Sequence, residues 1–257
     1  MTRRARVRFR EHVGVDYSGA GAPDAGCAGL RVYRAVGGGE ATEVRPPGGA
    51  RRRWSRVLLA SWLAERLAAP GPVIVGLDHC FSFPKAWLDA RGLPSWDAFL
   101  ARFCGEWPTD REPVARCRPP RAYAGEQARF RLCERWTSSA KSVFQFGMSG
   151  QVAASSHAGL PWLRRLRAER GGAVHFWPFD GWSPPPGRHV VAEVYPSILR
   201  SRFPRDGRDA DRQDAYAVAE WLRTRDAAGL LAPYFTPGLT AAERRVARVE
   251  GWILGIL

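Results

Sequence analysis

The sequence predicts an α/β fold: an antiparallel meander joined to parallel strands in one mixed sheet, with helices on its flanks. Three stretches lead there. Val13-Gly-Val15 is a short apolar run that ends in Asp16. Leu30 to Ala35 and Thr42 to Arg45 follow as strand-like stretches meeting at Gly37-Gly-Gly39, the pattern of antiparallel pairing. Val73-Ile-Val-Gly-Leu77 is a continuous apolar run of strand length closed by Asp78. Such runs are typical of strands covered on both faces, and this one is expected parallel to the first.

The remaining elements follow from periodicity and breakers. Trp54 to Ala68 spaces Val57, Leu58, Trp62 and Leu67 as a helix does, and Pro70-Gly-Pro72 stops it. Residues 79–172 read as a largely helical insertion carrying substrate contacts, inside one domain spanning 1–257. Within it, Ser95 to Phe103 and Glu126 to Trp136 are predicted helices, as is the basic stretch Pro161 to Arg170. Pro108 to Pro120 and the polar Thr137 to Gln151 are predicted loops. Val174 to Phe179 and Val190 to Val194 are predicted strands. Pro196 opens a short helix, since proline suits the first helical turn. Asp209 to Arg225 and Thr240 to Ile253 are predicted helices, and residues 1–10 a basic tail.

Composition narrows the class. Apolar residues make up 45% of the 257, with 11 Trp and 12 Phe, enough for a sizeable core. The formal net charge is +14 and the pI about 10.6. A charge of that sign favours polyanionic partners, nucleic acid first. Codon bias toward arginine competes as an explanation, because Lys85 and Lys141 are the only lysines. The cysteines Cys27, Cys80, Cys104, Cys117 and Cys133 form no CxxC pair, which argues against a zinc knuckle or a secreted disulfide framework. Met1 to Arg10 lacks the apolar run of a signal peptide, and no stretch approaches the ~20 apolar residues of a membrane helix. The expectation is a cytoplasmic protein with no membrane partner.

The acids carry the functional argument. Asp16 ends a central apolar strand, where an unpaired carboxylate is costly to bury and needs a partner, often a metal. Asp78 ends the parallel strand, at the edge where ligand sites of open α/β sheets gather. A turn or cap aspartate is the plain alternative. Glu193 interrupts Val190-Val-Ala-Glu-Val194, where propensity and burial both disfavour it. It marks a site, or else an edge strand or a buried pair with arginine. Asp211 and Asp214 share one helical face with Ala215, Val218 and Leu222. First-turn acids also complement the helix dipole, with Asp209 as a candidate cap. Together, hard carboxylate oxygens around one spot suit Mg²⁺ or Mn²⁺. Two such ions about 4 Å apart can activate water and stabilise the leaving oxygen in phosphodiester cleavage.

The candidate substrate contacts are Ser18, Lys141, Arg116, Arg118 and Arg121. Arg111, Arg164, Arg165 and Arg167 are also expected to flank the cleft. Lys141 sits in a polar Ser138-to-Ser142 stretch that could hold a phosphate, though a solvated lysine is the commoner outcome. His157 and His175 have no metal-ligand neighbour at the usual spacing and read as structural. Phe176-Trp-Pro-Phe-Asp-Gly-Trp182 could stack bases, but core packing accounts for most of those rings.

Several short motifs, taken in order, resemble a family of unknown function described as predicted nucleases with an RNase-H-like fold. They are Val-Gly-Val-Asp16-Tyr-Ser, Gly-Leu-Asp78 with Phe83-Pro84, Glu193-Val-Tyr-Pro196 and Asp211-Arg-Gln-Asp214-Ala. Ser142-Val-Phe-Gln145, Gly150-Gln-Val152 and Gly159-Leu-Pro161 are similar to its central segment, and Glu250 to Gly255 to its C-terminal helix. The resemblance covers most of residues 12–257. It implies an RNase-H-like core and a metal site made of Asp16, Asp78, Glu193, Asp211 and Asp214. Where family members carry small or apolar residues after the second acid, this chain has His79-Cys80, which leaves a role for His79 open.

The leading expectation is a metal-dependent nuclease with Asp16, Asp78, Glu193 and Asp214 as catalytic carboxylates and Mg²⁺ or Mn²⁺ as cofactor. An actin- or sugar-kinase-like phosphotransferase shares the core, but the Asp16-to-Gly19 turn departs from its phosphate loop and the chain is short for the duplicated core. A nucleic-acid-binding protein without catalysis is the third reading, and intact acids count against it.

Overall fold

A computed structural model describes residues 8–49, 52–117, 123–126, 128–137, 139–146 and 152–257. The described strands are β1 (Glu11–Asp16), β2 (Arg31–Val36), β3 (Thr42–Glu43), β4 (Val73–Asp78), β5 (Val174–Trp177) and β6 (His189–Glu193). They form one mixed sheet in the order β3-β2-β1-β4-β6-β5. The meander β1-β2-β3 is antiparallel, while β4 runs parallel to β1 and β6, and β5 parallel to β6. The β1–β4 register pairs Gly14 with Gly76 and Asp16 with Asp78.

The described helices are α1 (Arg56–Arg66), α2 (Lys85–Asp89), α3 (Trp96–Glu106), α4 (Val114–Cys117), α5 (Leu132–Arg135), α6 (Val152–Arg170), α7 (Ala210–Ala227) and α8 (Ala241–Glu250). Strand residues alternate between the two faces of the sheet. Val13, Val15, Val73, Val75, Leu77 and Val191 pack with α1, α3 and α6 in one cluster. Ile74, Val190 and Ala192 pack on the other face with Val218, Trp221 and Leu222 of α7. The rings of residues 81–103 and 143–144 belong to the first cluster, so this helical segment shares the core of the sheet.

Helix α7 lies unusually close to the sheet, and two glycines make that possible. A Cβ on Gly14 would stand 2.2 Å from the Ala215 carbonyl oxygen and 2.5 Å from the Ala219 nitrogen. A Cβ on Gly76 would stand 2.7 Å from Val218. The paired glycines thus leave a flat floor for the helix backbone. Asp16 and Asp78 lie two residues farther along the same face. Asp211 and Asp214 lie one turn before Ala215 and Val218 on α7. Asp209 caps the helix, accepting the Arg212 N–H at 2.8 Å.

Five segments differ from the sequence expectation. Helix α6 begins at Val152, well before Pro161. Pro161 has no N–H for the His157 carbonyl, and the buried Thr109 hydroxyl donates to that oxygen instead. Among the described residues of 126–136 the helix is confined to the short α5, because Arg131 is extended (φ −68°, ψ 162°) and turns its side chain into the core. The predicted loop 108–120 contains α4. Helix α8 ends at Glu250, where Gly251 takes φ 81°. The following Trp252, Ile253 and Leu254 are buried as irregular chain, and the Leu254 N–H bonds the Glu193 carbonyl at 2.9 Å. Residues 8–10 are also no loose tail. The Arg8 and Phe9 N–H groups donate to Asp226, and Phe9 is buried. Residues 1–7 and the polar stretch 147–151 lie outside the described residues. None of the described helices is long and apolar enough to cross a membrane.

Candidate functional site

The C-terminal ends of β1 and β4 open on a cavity of about 1130 Å³. Asp16, Asp78, Asp211 and Asp214 all line it, together with Ser18, Lys141, Tyr195, Ser197 and Arg200. Asp16 and Asp78 arrive there by strand register, the other two acids by the seating of α7 on Gly14 and Gly76.

Asp16 and Asp78 are within hydrogen-bonding contact of one another. Burial pushes the Asp16 carboxyl far above the usual aspartate range, and the charges of Asp78, Asp214 and Asp211 push it the same way. Burial also raises Asp78, followed by the charges of Asp214 and Glu193. Among the described residues no cation pairs with Asp16. Without a cation between them, burial and mutual repulsion favour the neutral form of both carboxyls.

Asp214 is held differently. Its Oδ2 meets Arg200 Nη1 at 3.3 Å, while its Oδ1 is buried with no hydrogen-bond partner. Burial raises its pKa, and Arg200 lowers it in part. Arg200 is itself steadied by Ser197, whose Oγ accepts from Nη2 at 2.6 Å. The loop after Asp16 is fixed from beneath by the buried Arg56. Its guanidinium donates to the carbonyls of Ser18, Ala20 and Gly21 at 3.2, 2.8 and 2.8 Å. Ser18 Oγ accepts the Ala20 N–H at 3.3 Å.

Glu193 does not line this cavity, although it borders a smaller pocket with Asp78 and Lys141. It pairs in register with Leu77, not Asp78, and shares the sheet face of Val191. That face is the one opposite α7. There its Oε2 accepts from Arg131 Nη1 at 2.7 Å and from the Phe81 N–H at 3.0 Å. Arg131 also bonds Glu134 Oε1 at 2.8 Å and the Glu250 carbonyl at 3.1 Å. The buried arginine pair, one of the alternatives left open by the sequence, accounts for Glu193.

The expected arginine rim differs as well. Arg111, Arg116, Arg165 and Arg167 pair with Asp110, Glu112, Glu169 and Asp97 respectively, and none of them or Arg164 lines the cavity. Arg118 and Arg121 lie outside the described residues. Among the described residues, the cations that do line the cavity are Lys141 and Arg200. Lys141 has no hydrogen bond or ion pair among the described residues, and its segment is tied to the end of β6 by Tyr195 Oη, which donates to the Ser139 carbonyl at 3.0 Å.

The histidines serve packing. His79 is buried against Tyr17 and Phe81, and burial pushes its pKa down to about 4, so it is neutral at physiological pH. His157 bonds the Ala153 carbonyl and Tyr123 Oη, and His175 the Gly181 carbonyl. Phe176 and Trp177 are fully buried, and Phe179 stacks on Trp96 at 4.0 Å.

The described residues contain no group of three or more His, Cys, Asp or Glu side chains that could hold a metal ion as they stand. The expected five-carboxylate cage is therefore reduced to a facing pair, with Asp214 drawn toward Arg200 and Glu193 toward Arg131. Two features still suit a hard cation: the unneutralised Asp16–Asp78 pair and the orphaned Asp214 Oδ1. Comparison with protein-family models, with curated proteins and with solved structures gave no match.

Proposed function

We propose that the chain is a metal-dependent nuclease with an RNase-H-like core, hydrolysing phosphodiester bonds in nucleic acid. One observation carries the reading: Asp16 and Asp78 face each other at the ends of neighbouring parallel strands, on the wall of a large open cavity, and among the described residues neither forms an ion pair. Two carboxylates so placed are costly together and become favourable around a divalent cation. The antiparallel meander followed by a parallel strand beside β1 supports the core assignment, and the net charge of +14 supports a polyanionic substrate.

In this reading Asp16 and Asp78 hold Mg²⁺ or Mn²⁺, with Asp214 and Asp211 as the further oxygens within the cavity. Bound there, the cation supplies water activation and neutralises charge on the leaving oxygen. The chain's own residues do the rest. Arg56 fixes the turn that presents Ser18, and Gly14 and Gly76 set the depth at which α7 carries Asp211 and Asp214. Lys141 and Arg200 face the substrate anion. Fold resemblance alone does not fix a reaction, so the test is chemical. Cleavage of single-stranded, duplex and branched DNA and RNA is measured with Mg²⁺, Mn²⁺ or chelator, for wild type and Asp16→Asn. The reading expects metal-dependent cleavage by wild type that the variant lacks. Activity insensitive to chelator, or equal in the variant, overturns it. Tight ATP binding without cleavage of any polymer points to the phosphotransferase instead.

A further inference from the structure

We propose that Arg200 is an exchangeable partner, shared between Asp214 and the phosphate of the substrate, so that divalent cation and phosphodiester bind the cavity cooperatively. The proposal rests on the reading of Asp16 and Asp78 as the cation site.

The contacts of Arg200 are unequal. Its bond to Ser197 is short, 2.6 Å, while its contact with Asp214 is a single one at 3.3 Å. Charge-assisted bonds of this kind are usually about 2.7–2.9 Å, and a phosphate can take both arms of a guanidinium. The phosphate therefore competes well for Arg200. The Arg200 side chain is 46% exposed and Asp214 17%, so the arginine can turn outward on its Ser197 tether while Asp214 stays at the wall. Lys141, uncommitted and held in place through Tyr195 and Ser139, adds a second positive group on the same cavity.

The exchange alters what Asp214 can do. While paired, it presents one oxygen to Arg200 and one buried oxygen to nothing. Among the described residues no three-carboxylate cation site is complete in that state. Once Arg200 moves to a phosphate, both oxygens of Asp214 are free to complete the site begun by Asp16 and Asp78. Each ligand thus removes an obstacle to the other, and thermodynamic linkage requires the coupling to be reciprocal.

The test measures Mn²⁺ affinity by the electron paramagnetic resonance signal of free ion. The probes are a thymidine dinucleotide with one phosphodiester and its uncharged methylphosphonate analogue, read before measurable hydrolysis. Wild type should bind Mn²⁺ at least about five-fold more tightly with the phosphodiester, and no more tightly with the analogue. Arg200→Gln should bind Mn²⁺ more tightly than wild type when alone and gain nothing from the dinucleotide. Arg200→Lys, which keeps the charge but not the fork, should retain only part of the gain. Circular dichroism confirms that each variant is folded. Equal coupling in wild type and Arg200→Gln overturns the role of Arg200 and leaves the cation site standing. Wild type that binds no Mn²⁺, with or without dinucleotide, overturns the cation site and this inference with it.

Discussion

Asp16 and Asp78 stand opposite each other in the register of two parallel strands, with their carboxyl groups in hydrogen-bonding contact and both pKa values raised by burial. The pair is a source of instability that only a proton or a cation relieves. Folded Asp16 holds its proton to higher pH than unfolded Asp16, so between those two values the native state binds more protons. Stability then falls as pH rises. Asp16→Asn keeps the shape and removes the repulsion. Its melting temperature should exceed that of wild type by a margin that widens from about pH 4, the ordinary aspartate value, upward through neutrality. The gain at neutral pH should be at least about 1 kcal/mol, roughly the worth of one pKa unit. Thermal melts across pH decide it, and a margin that shrinks with rising pH would contradict the raised pKa of the pair. Mn²⁺ should stabilise wild type and leave the variant unmoved.

Gly14→Ala should be among the most damaging single substitutions. The new methyl group meets backbone atoms of α7 at 2.2 and 2.5 Å, which cannot rotate away as a side chain can. A loss of about 3 kcal/mol or more is expected, in the range of severe overpacking. Because α7 carries Asp211 and Asp214, folded variant should also bind Mn²⁺ more weakly. Denaturant unfolding and a metal titration test the two halves. Unchanged metal affinity in the folded variant would separate the helix from the site.

Glu193→Gln should act on stability and not on the cation site. Arg131 is paired with both Glu193 and Glu134, so neutralising Glu193 leaves its charge only half compensated, a loss of about 2–3 kcal/mol. Replacing the whole triad, Arg131→Met with Glu134→Leu and Glu193→Leu, should recover much of it. Folded Glu193→Gln should retain wild-type Mn²⁺ affinity. A large drop in that affinity with stability intact would return Glu193 to the ligand set.

Arg56→Met should loosen the turn after Asp16. Three carbonyls lose their shared donor, and because those of the exposed Ala20 and Gly21 can turn to water the cost should be about 1–2 kcal/mol. Hydrogen exchange should rise at residues 17–21 ahead of the sheet. Exchange confined to α1 would show that Arg56 serves the helix and not the turn.

The sheet was legible because its strands are apolar runs of the right length with acids at their ends. Val13 to Asp16 and Val73 to Asp78 each read as a strand ending in a carboxylate, and the register brings the two acids together. The side on which Glu193 points was legible in principle. It sits two residues from Val191, on the valine face, whereas Asp16 and Asp78 sit two residues from glycines. Counting parity along each strand separates them. Arg200 left no signal, since arginine is everywhere in this chain and its partner lies fourteen residues away on another element. The start of α6 was hidden by small and polar residues, Val152 to Leu160, which show no amphipathic stripe because most of them are buried. Gly159 packs directly on His79, an intimacy visible only once the chain is folded.

The most direct test of the central claim is a crystal of the protein soaked in Mn²⁺, with anomalous scattering recorded. The account predicts a peak between the carboxyl groups of Asp16 and Asp78, within about 2.0–2.6 Å of their oxygens as hard cations require. That peak should vanish in Asp16→Asn. Full-occupancy density elsewhere with none between these two residues, or a peak that persists in the variant, would contradict it.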